Sequence, residues 1–135
     1  MKIMIVGAGA IGGWLAAVLA RGGAEVSLLA RGATLDAVRQ QGLILQEGET
    51  TSAFPLAASA NPTDLPAPDL IVFSVKTHAL ADAARSLAPV LAKGPAVMTA
   101  MNGLPWWFLE GGPLAGTTLR SLDPDGTIAN AFAPC

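Results

Sequence analysis

A chain of 135 residues, 52% of them hydrophobic and 13% charged, is the length of one domain and buries roughly 68% of the surface its unfolded form exposes. That composition excludes intrinsic disorder. Eight basic against ten acidic residues, a net charge of −2, leave no basic field for nucleic acid, and the single cysteine, Cys135, excludes an internal disulfide or a cysteine-built metal cage and fits a reduced, cytoplasmic compartment.

The eighteen uncharged residues from Ile3 to Ala20 superficially resemble a signal or a membrane span. Four glycines cluster behind a short β-branched run, however, and the start is only weakly positive, so a soluble reading is expected, with no membrane partner. Lys2–Val6 reads as a short buried strand stopped by glycine. Ile11–Arg21 is apolar on every face and free of proline, as a helix packed on a sheet should be, and Gly22-Gly23 ends it. Glu25–Ala30 is a second buried strand, so the first thirty residues form a βαβ unit. Thr34–Gln41 predicts a short helix stopped by Gly42. Leu43–Gln46 and Thr51–Ala57 flank Glu47-Gly48-Glu49 as a β-hairpin. Asn61–Pro68, with three prolines, predicts a loop. Asp69–Val75 is the clearest buried strand. Ala79–Leu91 is a helix interrupted at Pro89, and Pro95–Met101 is a strand ended by Asn102-Gly103. Beyond it the pattern loosens through Trp106-Trp107-Phe108 and a polar stretch, Ser121–Thr127. The alternation specifies an α/β fold of the Rossmann type: a doubly wound, mostly parallel sheet with helices on both faces.

Gly7-Ala8-Gly9-Ala10-Ile11-Gly12 is a G-x-G-x-x-G sequence lying between the first strand and the first helix, the context in which such a turn binds a dinucleotide. Gly7 permits the turn, Gly9 lets backbone approach a pyrophosphate, and Gly12 lets helix and strand pack closely. The helix N-terminus offers N–H groups and partial positive charge to the phosphates. At the end of the second strand an NAD site places an acid for the ribose hydroxyls. Here Ala30-Arg31-Gly32 follows, with no acid until Asp36. A guanidinium holds a 2′-phosphate that a carboxylate would repel, so NADP is the expected cofactor. Lys76 and Asn102 follow strands, at the carboxyl ends where open α/β sheets bind ligands. Lys76 serves a phosphate or a substrate carboxylate, or is a solvated loop lysine. Asn102 orients a carbonyl or a ribose, or belongs simply to an Asn-Gly turn. His78, the single histidine, reads more readily as a surface residue at a helix start than as an acid–base group.

GAGAIGG at 7–13, Arg31, SVKTHAL at 74–80 and MNGLPWW at 101–107 together resemble the ketopantoate reductase family, in order and spacing and along essentially the whole chain. The resemblance implies that Gly7 to Gly12 hold the pyrophosphate and Arg31 the 2′-phosphate of NADP. It implies that Lys76 contacts the cofactor and that Asn102 stands between nicotinamide and substrate. The implied activity is reduction of 2-dehydropantoate to (R)-pantoate with NADPH, on the route to pantothenate and coenzyme A. A small 2-keto acid is then the partner, and a homodimer is compatible with the family. Family members are longer, and their second, helical domain supplies the catalytic lysine. Residues 1–135 are therefore expected to be an incomplete NADP-binding domain without the proton donor. Pro105-Trp106-Trp107 adds bulk after Asn-Gly that favours a different keto acid as the alternative substrate, and at least one of the two tryptophans is expected at an interdomain or intersubunit contact. Other readings of the residues are a non-catalytic NADP-binding or interaction module, or a methyltransferase, whose site usually has an acid where Arg31 stands.

Overall fold

The computed structural model describes residues 1–109 and 111–132; the single cysteine, Cys135, lies outside them. Five short strands build the main sheet: β1 (Lys2–Val6), β2 (Glu25–Leu29), β5 (Ala57–Ser59), β6 (Leu70–Phe73) and β7 (Ala96–Thr99). All its pairings are parallel, in the order β5-β2-β1-β6-β7. In units of the sheet's own sequence this is 3-2-1-4-5, the doubly wound arrangement. β1 is central because it is apolar on both faces: Ile3, Met4, Ile5 and Val6 are all buried, as a parallel strand covered on both sides must be.

Alternation along the strands separates two cores. Ile3, Ile5, Val26, Leu28 and Val72 pack with Ala16 of α1 (Ala10–Arg21) and with Leu35 and Val38 of α2 (Gly32–Gln41). Met4, Val6, Ile71 and Phe73 face the other way, onto Leu80, Ala83, Leu87 and Val90 of α3 (Thr77–Leu91). Ile128 of α4 (Thr127–Ala131) joins this second core. Helices thus cover both faces, and the chain reverses its winding between β1 and β6, where a crevice opens at the carboxyl ends of the strands.

The helices begin earlier than apolar periodicity suggests. α2 starts at Gly32 and α3 at Thr77, each two residues upstream, so that Arg31 and Lys76 become N-cap residues. A first helical turn need not face the core, and periodicity is blind to it. The hairpin is present as β3 (Leu43–Glu47) and β4 (Thr50–Phe54), tied to α1 by the Arg21 guanidinium donating to Glu47 Oε2 at 2.6 Å. The expected strand Thr51–Ala57 is not one strand. Pro55 lacks the N–H a ladder needs; β4 ends at Phe54, and Ala57–Ser59 pairs with β2 in the other sheet instead. A 3-10 turn, Pro62–Asp64, occupies the expected loop. α3 is not interrupted at Pro89: it continues to Leu91, because Pro89 and Arg85 lie on the exposed face, where water can satisfy the Arg85 carbonyl that the missing N–H leaves free.

Candidate functional site

The turn out of β1 is held by three glycines with three different jobs. Gly7 has φ +99°, open to glycine at little cost, and its N–H donates to the Leu29 carbonyl at 3.0 Å. Gly12 is buried where a Cβ would stand 2.0 Å from the Gly7 carbonyl oxygen and 2.2 Å from Ser74 Oγ, so no side chain fits. Gly9 is the opposite case: nothing lies within 4 Å of its missing Cβ, and the vacant side belongs to the cleft. Ser74, directly after β6, locks the turn. Its Oγ lies 3.0 Å from the Val6 carbonyl oxygen and 2.9 Å from that of Gly7, so one hydroxyl proton serves two strand-end acceptors. Gly9 is the N-cap of α1, which has neither a side-chain cap nor an acid in its first turn, leaving its leading N–H groups and positive dipole end for an anion.

Two cavities meet at this turn. One, of about 350 Å³, lies between Gly7–Gly9, Arg31 and Thr34 on one side and Ala79, Asp82 and Ala83 of α3 on the other. The Arg31 side chain is exposed, and among the described residues it makes no ion pair. Asp82, across this cavity, pairs with Arg85 one turn further along α3. The other cavity, a cleft of about 620 Å³, brings Gly9, Ala10 and Ile11 together with Lys76 and Asn102. The two share Gly9 and Val75. Lys76 is exposed at the N-terminus of α3, a second helix start with no acid in its first turn. Lys76, Arg31 and two helix N-termini therefore give this edge of the sheet a positive bias, as a polyanionic ligand requires.

The structure thus brings Gly7, Ala8, Gly9, Ala10, Ile11, Arg31, Lys76 and Asn102 onto two adjoining cavities, with Gly12 buried beneath the turn and His78 apart from both. His78 is exposed in the first turn of α3 and lines neither cavity. Sequence reasoning gave no role to Ser74 or Asp82. Ser74 could have been flagged as a polar residue ending an otherwise apolar strand; Asp82 carries no such mark. The aromatic run divides. Trp106 stacks on Phe132, with ring centroids 4.6 Å apart, and Phe132 meets Phe73 edge-on at 5.1 Å. Trp107 is 49% exposed, and Phe108 is similarly exposed.

A parallel sheet wound 3-2-1-4-5, with a glycine turn opening onto its switch point, defines a Rossmann-type nucleotide-binding domain. The model of the ketopantoate reductase PanE/ApbA family matches residues 3–105, and the chain belongs to that family. It is 45% identical over 137 residues to a 2-dehydropantoate 2-reductase of Mesorhizobium japonicum, an alignment that takes in 99% of this chain and 42% of the relative. A crystal structure from Ralstonia solanacearum MolK2, assigned as a ketopantoate reductase, superposes with a TM-score of 0.92 at 44% identity, over 98% of this chain and 41% of that one. A D-mandelate dehydrogenase solved with NADH and anilino(oxo)acetate superposes with a TM-score of 0.72 at 25% identity, over 78% of this chain and 34% of that one. The chain spans about two fifths of the length of the curated relatives it matches. Among the described residues no helix is long and apolar enough to cross a membrane.

Proposed function

We propose that residues 1–135 are the NADP-binding domain of an NADPH-dependent reductase acting on a 2-keto acid, with 2-dehydropantoate, reduced to (R)-pantoate for pantothenate and coenzyme A synthesis, as its substrate. One observation carries the cofactor assignment. Arg31 sits at the end of β2, on the cavity that begins at Gly7–Gly9, where an NAD site has an acid. The residues present fit such a group: Gly9 leaves room for a pyrophosphate where a Cβ would stand, the α1 N-terminus faces it, and Arg31 can fork onto a 2′-phosphate. When bound, NADPH supplies the hydride. Ala8, Ala10, Ile11 and Gly12 form the cradle between turn and helix, Lys76 adds positive charge beside it, and Asn102 aligns nicotinamide and substrate carbonyl with its amide.

The proton that the reduced carbonyl takes up comes from a group outside these residues, because Asn102 has no acidic proton and Lys76 lies beside the phosphate-binding turn. The protein works in the cytoplasm on a small molecule, as a homodimer, without nucleic acid or membrane. The chain is alternatively a non-catalytic NADP-binding or interaction module, or the cofactor domain of a reductase for another keto acid. The neighbour solved with NADH makes NADH the competitor to test. Thermal unfolding with NADPH, NADH or S-adenosylmethionine separates these classes. A ligand at a hundred times its Kd stabilises by about 2.7 kcal/mol, so NADPH should raise Tm by several degrees and S-adenosylmethionine not at all. A rise with S-adenosylmethionine alone would replace the reductase with a methyltransferase.

A further inference from the structure

The bend after β7 brings an amide carbon and a backbone nitrogen together in a way the other asparagines do not. Asn102 and Gly103 are both exposed, and among the described residues neither the Asn102 carboxamide nor the Gly103 N–H has a hydrogen-bond partner. Gly103 has φ +100°, a conformation that side-chain-bearing residues rarely adopt, so this backbone holds a residue whose nitrogen no Cβ hinders. Nothing lies within 4 Å of the place a Cβ would take, which leaves that nitrogen open to water and hydroxide. The chain has two other asparagines, Asn61 and Asn130. Asn61 precedes Pro62, which has no N–H, and its carboxamide is tied to Thr63 and Asp64. Asn130 lies within α4 before Ala131, where helical backbone and the alanine methyl keep the next nitrogen from the side-chain carbon.

We propose that Asn102 is a site of spontaneous deamidation. The Gly103 nitrogen gives up its proton to hydroxide and attacks the Asn102 carboxamide carbon. The bond from that carbon to the side-chain nitrogen breaks, and the nitrogen takes a proton from water and leaves as ammonia. Water then opens the five-membered succinimide at either carbonyl, giving aspartate or isoaspartate. No oxidant or reductant is needed, and both products carry a new carboxylate. Asn102 walls the 620 Å³ cleft with Lys76. Resting on the reading of that cleft as the nicotinamide side of an NADP site, the carboxylate stands beside a ring that is cationic in NADP⁺ and neutral in NADPH. It therefore strengthens binding of the oxidised cofactor relative to the reduced one, by about fivefold or more for unit charges in contact near water. Ageing at this one bond thus biases the site toward the spent cofactor.

The test incubates the folded 135-residue chain at physiological temperature and two pH values, with and without saturating NADPH. Trypsin places each asparagine in its own peptide: 40–76, 94–120 and 121–135. By mass spectrometry, peptide 94–120 should exchange NH for O at position 102 at least about tenfold faster than Asn61 or Asn130 does. The rate should rise with pH, because the attacking nitrogen must lose its proton, and should fall when NADPH covers the bend. Asn102→Asp, titrated with both cofactors, should show the shift in preference toward NADP⁺. Modification of Asn102 no faster than of Asn130, in a chain that binds NADPH, would overturn the proposal and leave the cofactor reading standing. Fast modification in a chain that binds no NADPH would support the site and remove the cofactor reading. An unchanged cofactor preference in Asn102→Asp would overturn the charge effect.

Discussion

Gly9 and Gly12 stand three positions apart in one turn, and their surroundings predict opposite responses to the same added methyl group. At Gly12 a Cβ would lie 2.0 Å from a backbone carbonyl oxygen, which cannot swing away as a side-chain end could. Gly12→Ala should therefore destabilise the fold by about 1–3 kcal/mol or more and weaken NADPH binding as α1 is pushed off the turn. Gly9→Ala meets nothing within 4 Å and should cost about 1 kcal/mol or less in stability, while its Cβ intrudes on the pyrophosphate. Paired urea denaturation and NADPH titration of the two variants check this; a Gly12→Ala protein of wild-type stability would contradict the close packing. The glycines and Arg31 were legible because a G-x-G-x-x-G turn and the residue ending the next strand are local features. Ser74 was not, since its acceptors lie 67 and 68 residues away and only the folded sheet brings them together.

α4 shows what local patterning omits. Five residues cannot sustain a helix alone, and the preceding stretch reads as merely polar. The structure buries Asp123 to 3% exposure and directs its carboxylate at the start of α4, accepting from Ile128 N at 2.9 Å and Ala129 N at 2.8 Å. That cap places Ile128 in the core and leads the chain to Phe132, on which Trp106 stacks. Asp123→Ala should cost about 1–3 kcal/mol, because both N–H groups lose a charged acceptor, and should also weaken the near-ultraviolet circular dichroism of Trp106. Unchanged stability and an unchanged aromatic signal would show that α4 needs no such cap. Proline marked the element boundaries unevenly. Pro55 splits a run that alternation had joined, because a strand needs every N–H on its paired side, whereas Pro89 leaves α3 continuous, because its face meets water. Sequence names the residue in both cases; exposure decides its effect.

For the molecule entire, the five-stranded sheet and its switch point followed from strands alternating with helices, and that topology gathers Gly9, Arg31, Lys76 and Asn102 at one edge. On the proposed reading, neither Asn102 nor Lys76 donates the proton that the reduced carbonyl takes up. Loss of one positioned general acid typically costs about 10²–10⁴-fold in rate. The purified 135 residues should bind NADPH yet show no 2-dehydropantoate-dependent NADPH oxidation in a 340 nm assay; turnover at the rate of a complete reductase would make Lys76 or His78 the acid to test. Most direct for the central claim, that this is an NADP site defined by Arg31, is titration of the wild-type chain and Arg31→Ala with NADPH and with NADH. A charge-assisted arginine–phosphate contact contributes about 1.5–3 kcal/mol, or roughly tenfold to a hundredfold in affinity. Arg31→Ala should lose that much for NADPH and almost nothing for NADH; an equal loss for both cofactors, or none for NADPH, would contradict the assignment.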